Sequence, residues 1–165
     1  MNVRTRVMGL FLMMTLAGCA SRLPPPEERE VESRVRAPAS EESEGVQVYS
    51  LQNPAVKQLT EQASAAERMG NLDQAGAYIE RALRIDPKDP QLLQHMAEIH
   101  LQKENYQQAL NFAERSYETG PRVGEICSRN WRTISVAREY LDDLRGSADA
   151  ETRAGQCMNT RPKGL

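Results

Sequence analysis

Residues 56–89 read VKQLTEQASAAERMGNLDQAGAYIERALRIDPKD, and residues 90–123 read PQLLQHMAEIHLQKENYQQALNFAERSYETGPRV. Laid one above the other, the two stretches match without a gap. Ala75 meets Ala109 and Pro87 meets Pro121, both pairs 34 residues apart. Large apolar Leu59 and Leu93 align, and each is followed four residues later by a small one, Ala63 or Ala97. Ala82 and Ser116 supply a further small position. That spacing puts the small side chains on one helical face, where they let two antiparallel helices approach while larger neighbours fill the next pair. Local signals agree. Asn53-Pro54 caps and starts the first helix, Asn71 and Asn105 stand where they can cap the second helix of each copy, and Pro87 and Pro121 end each copy. The expected architecture is all-α.

A 34-residue period with this alternation resembles the tetratricopeptide repeat. The resemblance aligns Gly70 and Glu104 at the turn, where the family usually has Gly, and Leu72 and Tyr106 at the aromatic-or-Leu position opening the second helix. It implies a short solenoid whose first helices line a concave groove that holds an extended peptide or a partner helix. Carried over by position, the groove takes Thr60, Ser64, Glu67 and Arg68 from the first copy and Gln94, His95, Glu98, Leu101 and Gln102 from the second. Arg129 and Arg132 follow from a third unit if the register continues. The set lacks the Lys/Asn clamp with which chaperone-binding members hold a terminal carboxylate. It suits a protein partner of modest affinity.

The third unit departs from the pattern. Trp131 falls at the small position of its first helix, so register or packing must differ there. An apolar stripe of Ile126, Ile134, Ala137, Tyr140, Leu141 and Leu144 predicts a long helix over 124–145. Gly146-Ser147 then breaks the chain before a short last helix over 148–158. The pair reads as a cap on the solenoid, since repeat arrays need a polar-faced terminal element. Antiparallel packing would bring Cys127 and Cys157 together, and an oxidising compartment would let them bond. Two buried free thiols are the alternative.

The chain begins with Arg4 and Arg6, then an apolar run over 7–17, too short to span a bilayer of roughly 30 Å. Leu16-Ala17-Gly18-Cys19 follows and resembles the lipobox of bacterial lipoproteins, which implies cleavage before Cys19 and acylation of that residue. The other reading is an ordinary signal with a chance Cys. Each buried CH₂ contributes about 0.8 kcal/mol, so several acyl chains hold a protein firmly on a membrane without spanning it. Ala20, in place of the Asp that retains enterobacterial lipoproteins on the inner membrane, implies the outer membrane, facing the periplasm. Residues 20–52 carry Pro24-Pro25-Pro26, Pro38 and alternating Glu and Arg, with little to bury, and are expected to form a disordered tether. A helix over 27–36 would be polar on nearly every face. As a coil the tether spans on the order of 30 Å, and extended about 100 Å. Val46, Val48 and Leu51 alternate with polar residues and suggest an extended lead-in packed on the domain. The expected boundaries are 1–18 signal peptide, 19–52 lipidated Cys19 and tether, 53–160 repeat domain and 161–165 tail.

Composition narrows the function. The 165 residues are 39% apolar and 27% charged, with a net charge of −2. That balance does not hold nucleic acid by electrostatics alone. Three Cys and two His are too few for a disulfide scaffold or a rich metal site. No phosphate loop, nucleophile elbow or His-Glu-x-x-His is present. No enzyme, cofactor, metal or small-molecule substrate is expected. The full layout of lipobox, Pro/Glu/Arg tether, short repeat domain and two cysteines resembles the small pseudomonad outer-membrane lipoproteins that activate a class A penicillin-binding protein, a peptidoglycan synthase. The resemblance implies a non-enzymatic regulator with the synthase as partner and outer-membrane lipid as anchor. A pilotin-like lipoprotein that assists a secretin, or a subunit of an outer-membrane assembly machine, is the alternative, and a peptidoglycan enzyme a more distant one.

Overall fold

A computed structural model describes residues 30–37 and 53–158, and every regular element among them is helical. The expectations for the signal peptide, lipidated Cys19, most of the tether, the lead-in over 46–51 and the tail lie outside the described residues. Three antiparallel hairpins stack in chain order. They are α2 (Pro54–Arg68) with α3 (Leu72–Ile85), α4 (Pro90–Gln102) with α5 (Tyr106–Thr119), and α6 (Glu125–Tyr140) with α7 (Leu144–Met158). A short π-type helix, α1 (Val31–Arg36), precedes them; the Ala37 N–H closes its end on the Glu32 carbonyl five residues back. Consecutive helices pack together, α4 also touches α6, and α1 lies against both α4 and α6.

Helix ends follow the sequence closely. The Asn53 side chain accepts from the Ala55 N–H at 2.9 Å and Asn71 from the Gln74 N–H at 3.2 Å. Asp89 caps α4 ahead of Pro90, accepting from Gln91 at 2.8 Å and Leu92 at 3.4 Å. Asn105 makes no side-chain cap, contrary to expectation.

The core follows the small-and-large alternation. Ala63, Ala75 and Ala82 are fully enclosed where α2 and α3 cross, and Ile79, Leu92, Met96 and Ile99 fill the space towards the second hairpin. Ala97 and Ala113 repeat the arrangement and pack on Ile134 and Ala150 of the third unit. Trp131 fits because it is only half-buried. It sits edge-on to Tyr117 at 4.7 Å with Arg153 over its ring at 4.9 Å, while α7 supplies the small residues Ala150 and Ala154.

The third hairpin differs from expectation at its turn. Gly70 and Glu104 close the first two turns with φ of 72° and 58°, and Asp142 closes the third with φ of 61°. Asp142 comes 38 residues after Glu104, about one helical turn later than the repeat period. Helix α6 therefore ends at Tyr140 rather than Arg145, and α7 starts at Leu144 rather than 148. Gly146-Ser147 lies inside the first turn of α7, held by Asp143, whose side chain accepts from the Gly146 N–H at 2.9 Å and whose carbonyl accepts from the Ser147 N–H at 2.9 Å. Tyr140, Leu141 and Leu144, expected in the apolar stripe, are exposed as a result. A disulfide joins Cys127 in the first turn of α6 to Cys157 in the last turn of α7, with Cα atoms 5.7 Å apart. Beside it the Gly124 N–H donates to the Cys157 carbonyl at 2.9 Å.

Within the expected tether, residues 30–37 depart from the disordered reading. Val31 and Val35 lie one turn apart on α1 and are buried with Leu101, Ala109, Val136 and Ala137. Burying the two valines contributes about 3 kcal/mol, less than the cost of ordering eight residues. Polar contacts must supply the rest, and they come from the groove.

Candidate functional site

The concave face is formed by the first helices of the hairpins, α2, α4 and α6. Glu67 projects from the end of α2, Gln94, His95, Glu98, Leu101 and Gln102 from α4, and Arg129 and Arg132 from α6. The structure brings all of these expected groove residues to one face, including the two arginines beyond Trp131. Glu98 has no exposed surface, and Gln94, Leu101 and Gln102 are buried. Glu98 and Leu101 are engaged by both α6 and α1, Gln94 by α6 and Gln102 by Glu67 of α2, with α1 lying in the groove.

Glu98 is the hub. Arg129 pairs with both of its carboxylate oxygens, through Nε and Nη2. Arg36 of α1 donates from Nε at 2.8 Å, and the Gln94 amide donates at 2.8 Å. Gln94 also donates to the Thr133 hydroxyl at 2.7 Å, tying α4 to α6. Glu67 forms a second acceptor. It meets Arg36 Nη2 at 3.0 Å, the Gln102 amide at 3.0 Å and His95 Nε2 at 2.6 Å. Arg36 thus bridges two carboxylates that the repeat helices themselves match with one arginine, Arg129, and with His95.

The electrostatics follow from that geometry. Burial alone would raise the Glu98 carboxyl, but Arg129 and Arg36 outweigh it and hold it at about 2. Glu67 is likewise lowered against its own burial, through the hydrogen bond from His95 and the charge of Arg36. Arg36 loses hydration on burial, yet the two glutamates keep its charge firmly in place. Glu125 moves the other way: burial raises it even though Arg132 lies 2.9 Å away.

The remaining contacts seize α1 by its backbone and its polar side. Arg132 Nε donates to the Val35 carbonyl at 2.9 Å, a cation on the open carbonyl end of a helix. Arg34 pairs with Glu139, and the Tyr140 hydroxyl donates to Glu30 at 2.6 Å, which pushes that phenol up to about 12. Thr60, Ser64 and Arg68 are not covered by α1. With Glu67, His95 and Arg129 they line a cavity of about 480 Å³ beside it. Of the two histidines, His95 faces this groove, while His100 stacks on Phe112 at 5.3 Å with its pKa lowered by burial.

The groove residues Val31, Val35 and Arg36 went unread in the sequence. Their signal is a Val-x-x-x-Val-Arg spacing inside an otherwise Glu/Arg stretch, one apolar face on a helix expected to have none. Among the described residues no group of three or more His, Cys, Asp or Glu is placed to hold a metal, and no helix is long and apolar enough to cross a membrane.

A tetratricopeptide repeat family model matches residues 66–121. No curated protein sequence matches the chain. Among solved structures it is similar to the globular C-terminal domain of LpoP from P. aeruginosa, with 30% identity and a TM-score of 0.61 over 63% of this chain and 98% of that one.

Proposed function

This chain belongs to the tetratricopeptide-repeat family of LpoP, and on that premise we propose that it is a non-enzymatic activator of a bifunctional peptidoglycan synthase, a class A penicillin-binding protein. The observation that carries the reading is the match along 98% of the LpoP domain at 30% identity. The groove supports it, because its side chains are committed to one another as hydrogen-bonded ion pairs and form a surface that grips a helix.

In this reading Cys19 is acylated and anchors the chain in the outer membrane, facing the periplasm. The tether carries the helical domain towards a synthase held in the inner membrane. The domain contacts the synthase, and glycan polymerisation and peptide crosslinking remain the partner's chemistry. Purified synthase should polymerise faster when the lipoprotein is added. In-cell crosslinking of the tagged lipoprotein should recover the synthase. Recovery of a secretin with no synthase would overturn the proposal in favour of the pilotin-like alternative.

A further inference from the structure

We propose that the concave groove is a receptor for a short helix bearing two apolar side chains one turn apart followed by an arginine, and that residues 30–37 are a resident occupant which a partner segment of the same chemistry replaces. This rests on the partner-binding reading above and names what the groove accepts.

Helix α1 is no part of the repeat. It reaches the groove from residues that precede the solenoid, and it lies on the face this fold uses for partners. Its three anchors define a ligand. Val31 and Val35, 3% and 0% exposed, enter the apolar strip of Leu101 and Val136. Arg36 enters the carboxylate pair Glu67 and Glu98. Arg132 takes the Val35 carbonyl, a contact any helix C-terminus could satisfy.

The same anchors argue for exchange. Two valines, one bridging arginine and the contacts of Glu30, Arg34 and the Val35 carbonyl are a small interface, held in place largely because the chain supplies it at high local concentration. When α1 leaves, Glu67 and Glu98 lose a cation and Leu101 and Val136 lose their apolar cover. The vacated site therefore favours a replacement that is basic at one end and apolar along one face. The open cavity over Thr60, Ser64 and His95 adjoins α1, so a longer segment has a foothold before displacement.

The test uses residues 19–165 with Cys19→Ser, and the same chain with Val35→Asp to empty the groove. A fluorescent peptide of residues 28–39 is titrated with each, followed by anisotropy. Binding to the Val35→Asp chain should be at least ten-fold tighter than to its parent, and Arg36→Glu in the peptide should cost at least ten-fold. Equal binding to both chains, or none to a Val35→Asp chain of unchanged helical circular dichroism, overturns the proposal. Arg36→Glu in the chain is a second opening variant should Val35→Asp fold poorly. Unlabelled peptide is then competed against the purified class A penicillin-binding protein. Competition supports the groove as the partner's site. Synthase binding that persists with the groove saturated overturns that assignment while leaving activation standing. If no form binds the synthase although the peptide binds, the activation reading fails and the groove's ligand preference survives. A dimer by light scattering that Val35→Asp dissolves would mean the segment belongs to a second copy, and overturns intramolecular occupancy.

Discussion

Removing the Cys127–Cys157 disulfide should cost the domain about as much as truncating a large core side chain. The crosslink closes a loop of 30 residues. Restricting the unfolded chain to that extent is worth about 3.6 kcal/mol. A folded unit of roughly 110 residues unfolds with an entropy of about 0.22 kcal/mol/K, so the loss corresponds to a fall in Tm of about 16 °C. The structure says why so much depends on one bond. Helix α7 buries only small side chains, Ala150, Ala154, Ser147 and Cys157 itself, while its one large aliphatic side chain, Leu144, is 68% exposed. Its other attachments include the Ser135–Ser147 hydrogen bond at 3.0 Å, Arg138 to the Gly146 carbonyl at 3.3 Å, the Gly124 N–H to the Cys157 carbonyl at 2.9 Å, and Arg153 over Trp131. Scanning calorimetry with and without a phosphine reductant measures the effect, with thiol titration confirming reduction. A Cys127→Ala, Cys157→Ala double variant separates the crosslink from the reagent. If α7 frays before the rest, as a terminal repeat can, hydrogen exchange will locate the early loss in residues 144–158. A Tm that falls by less than about 5 °C on complete reduction would refute the reasoning, since about 1 kcal/mol is all that then remains for the bond.

Three further outcomes follow from single residues. Glu98, held at about 2, and Glu67, also lowered, have folded pKa values below those of the unfolded chain, so they stabilise the fold at pH above about 4.5 and lose that contribution as pH falls towards 2. Glu98→Gln should cost about 1–3 kcal/mol at pH 7 by leaving half-buried Arg129 short of its anion, and should flatten stability against pH below 5; urea midpoints at pH 7, 4 and 3 that track the parent would contradict this. Glu104 adopts the left-handed conformation that Gly70 provides in the first hairpin, so Glu104→Gly should stabilise by about 1 kcal/mol in urea titration, with Glu104→Ala showing no such gain. Ala97→Leu should destabilise by about 1–3 kcal/mol through overpacking against Ala113 and Ile134, whereas Ala77→Leu on the exposed face of α3 should change little; equal effects at the two sites would mean the crossing is not close-packed.

The two repeats were legible because their information is local and duplicated. Small residues at 63, 75, 97 and 109 read as crossings whatever surrounds them, and two copies in register confirm one another. The third unit was harder for a physical reason. Trp131 stands where the first two units have a small residue and is accommodated by staying half-buried, and a position-by-position comparison sees only a violated rule. The turn at Asp142 was missed because Gly146 is a stronger breaker by composition, yet Asp143 caps it into the helix. The burial of Gln94, Glu98, Leu101 and Gln102 was not legible in the sequence. Glu98 reads as a surface carboxylate from α4 alone; its burial depends on Arg129 from α6 and Arg36 from α1, 31 and 62 residues away. Helix α1 itself gains its structure from the groove, since a six-residue helix is unstable alone.

That dependence bears on reach. With an acyl anchor on Cys19, docking of α1 leaves eleven residues between lipid and groove, which extend at most about 40 Å. With α1 released, the whole stretch from Cys19 to Asn53 is free to extend, about 100 Å or more. Docking of α1 and shortening of the leash are then one event. On the proposed function, a partner segment that displaces α1 would both bind the domain and release the chain that precedes it. Contact and extension would favour each other, because each carries the same displacement of Val31, Val35 and Arg36. The Glu67–Glu98 pair sits at the centre of this coupling, because it is where the arginine of α1 is held.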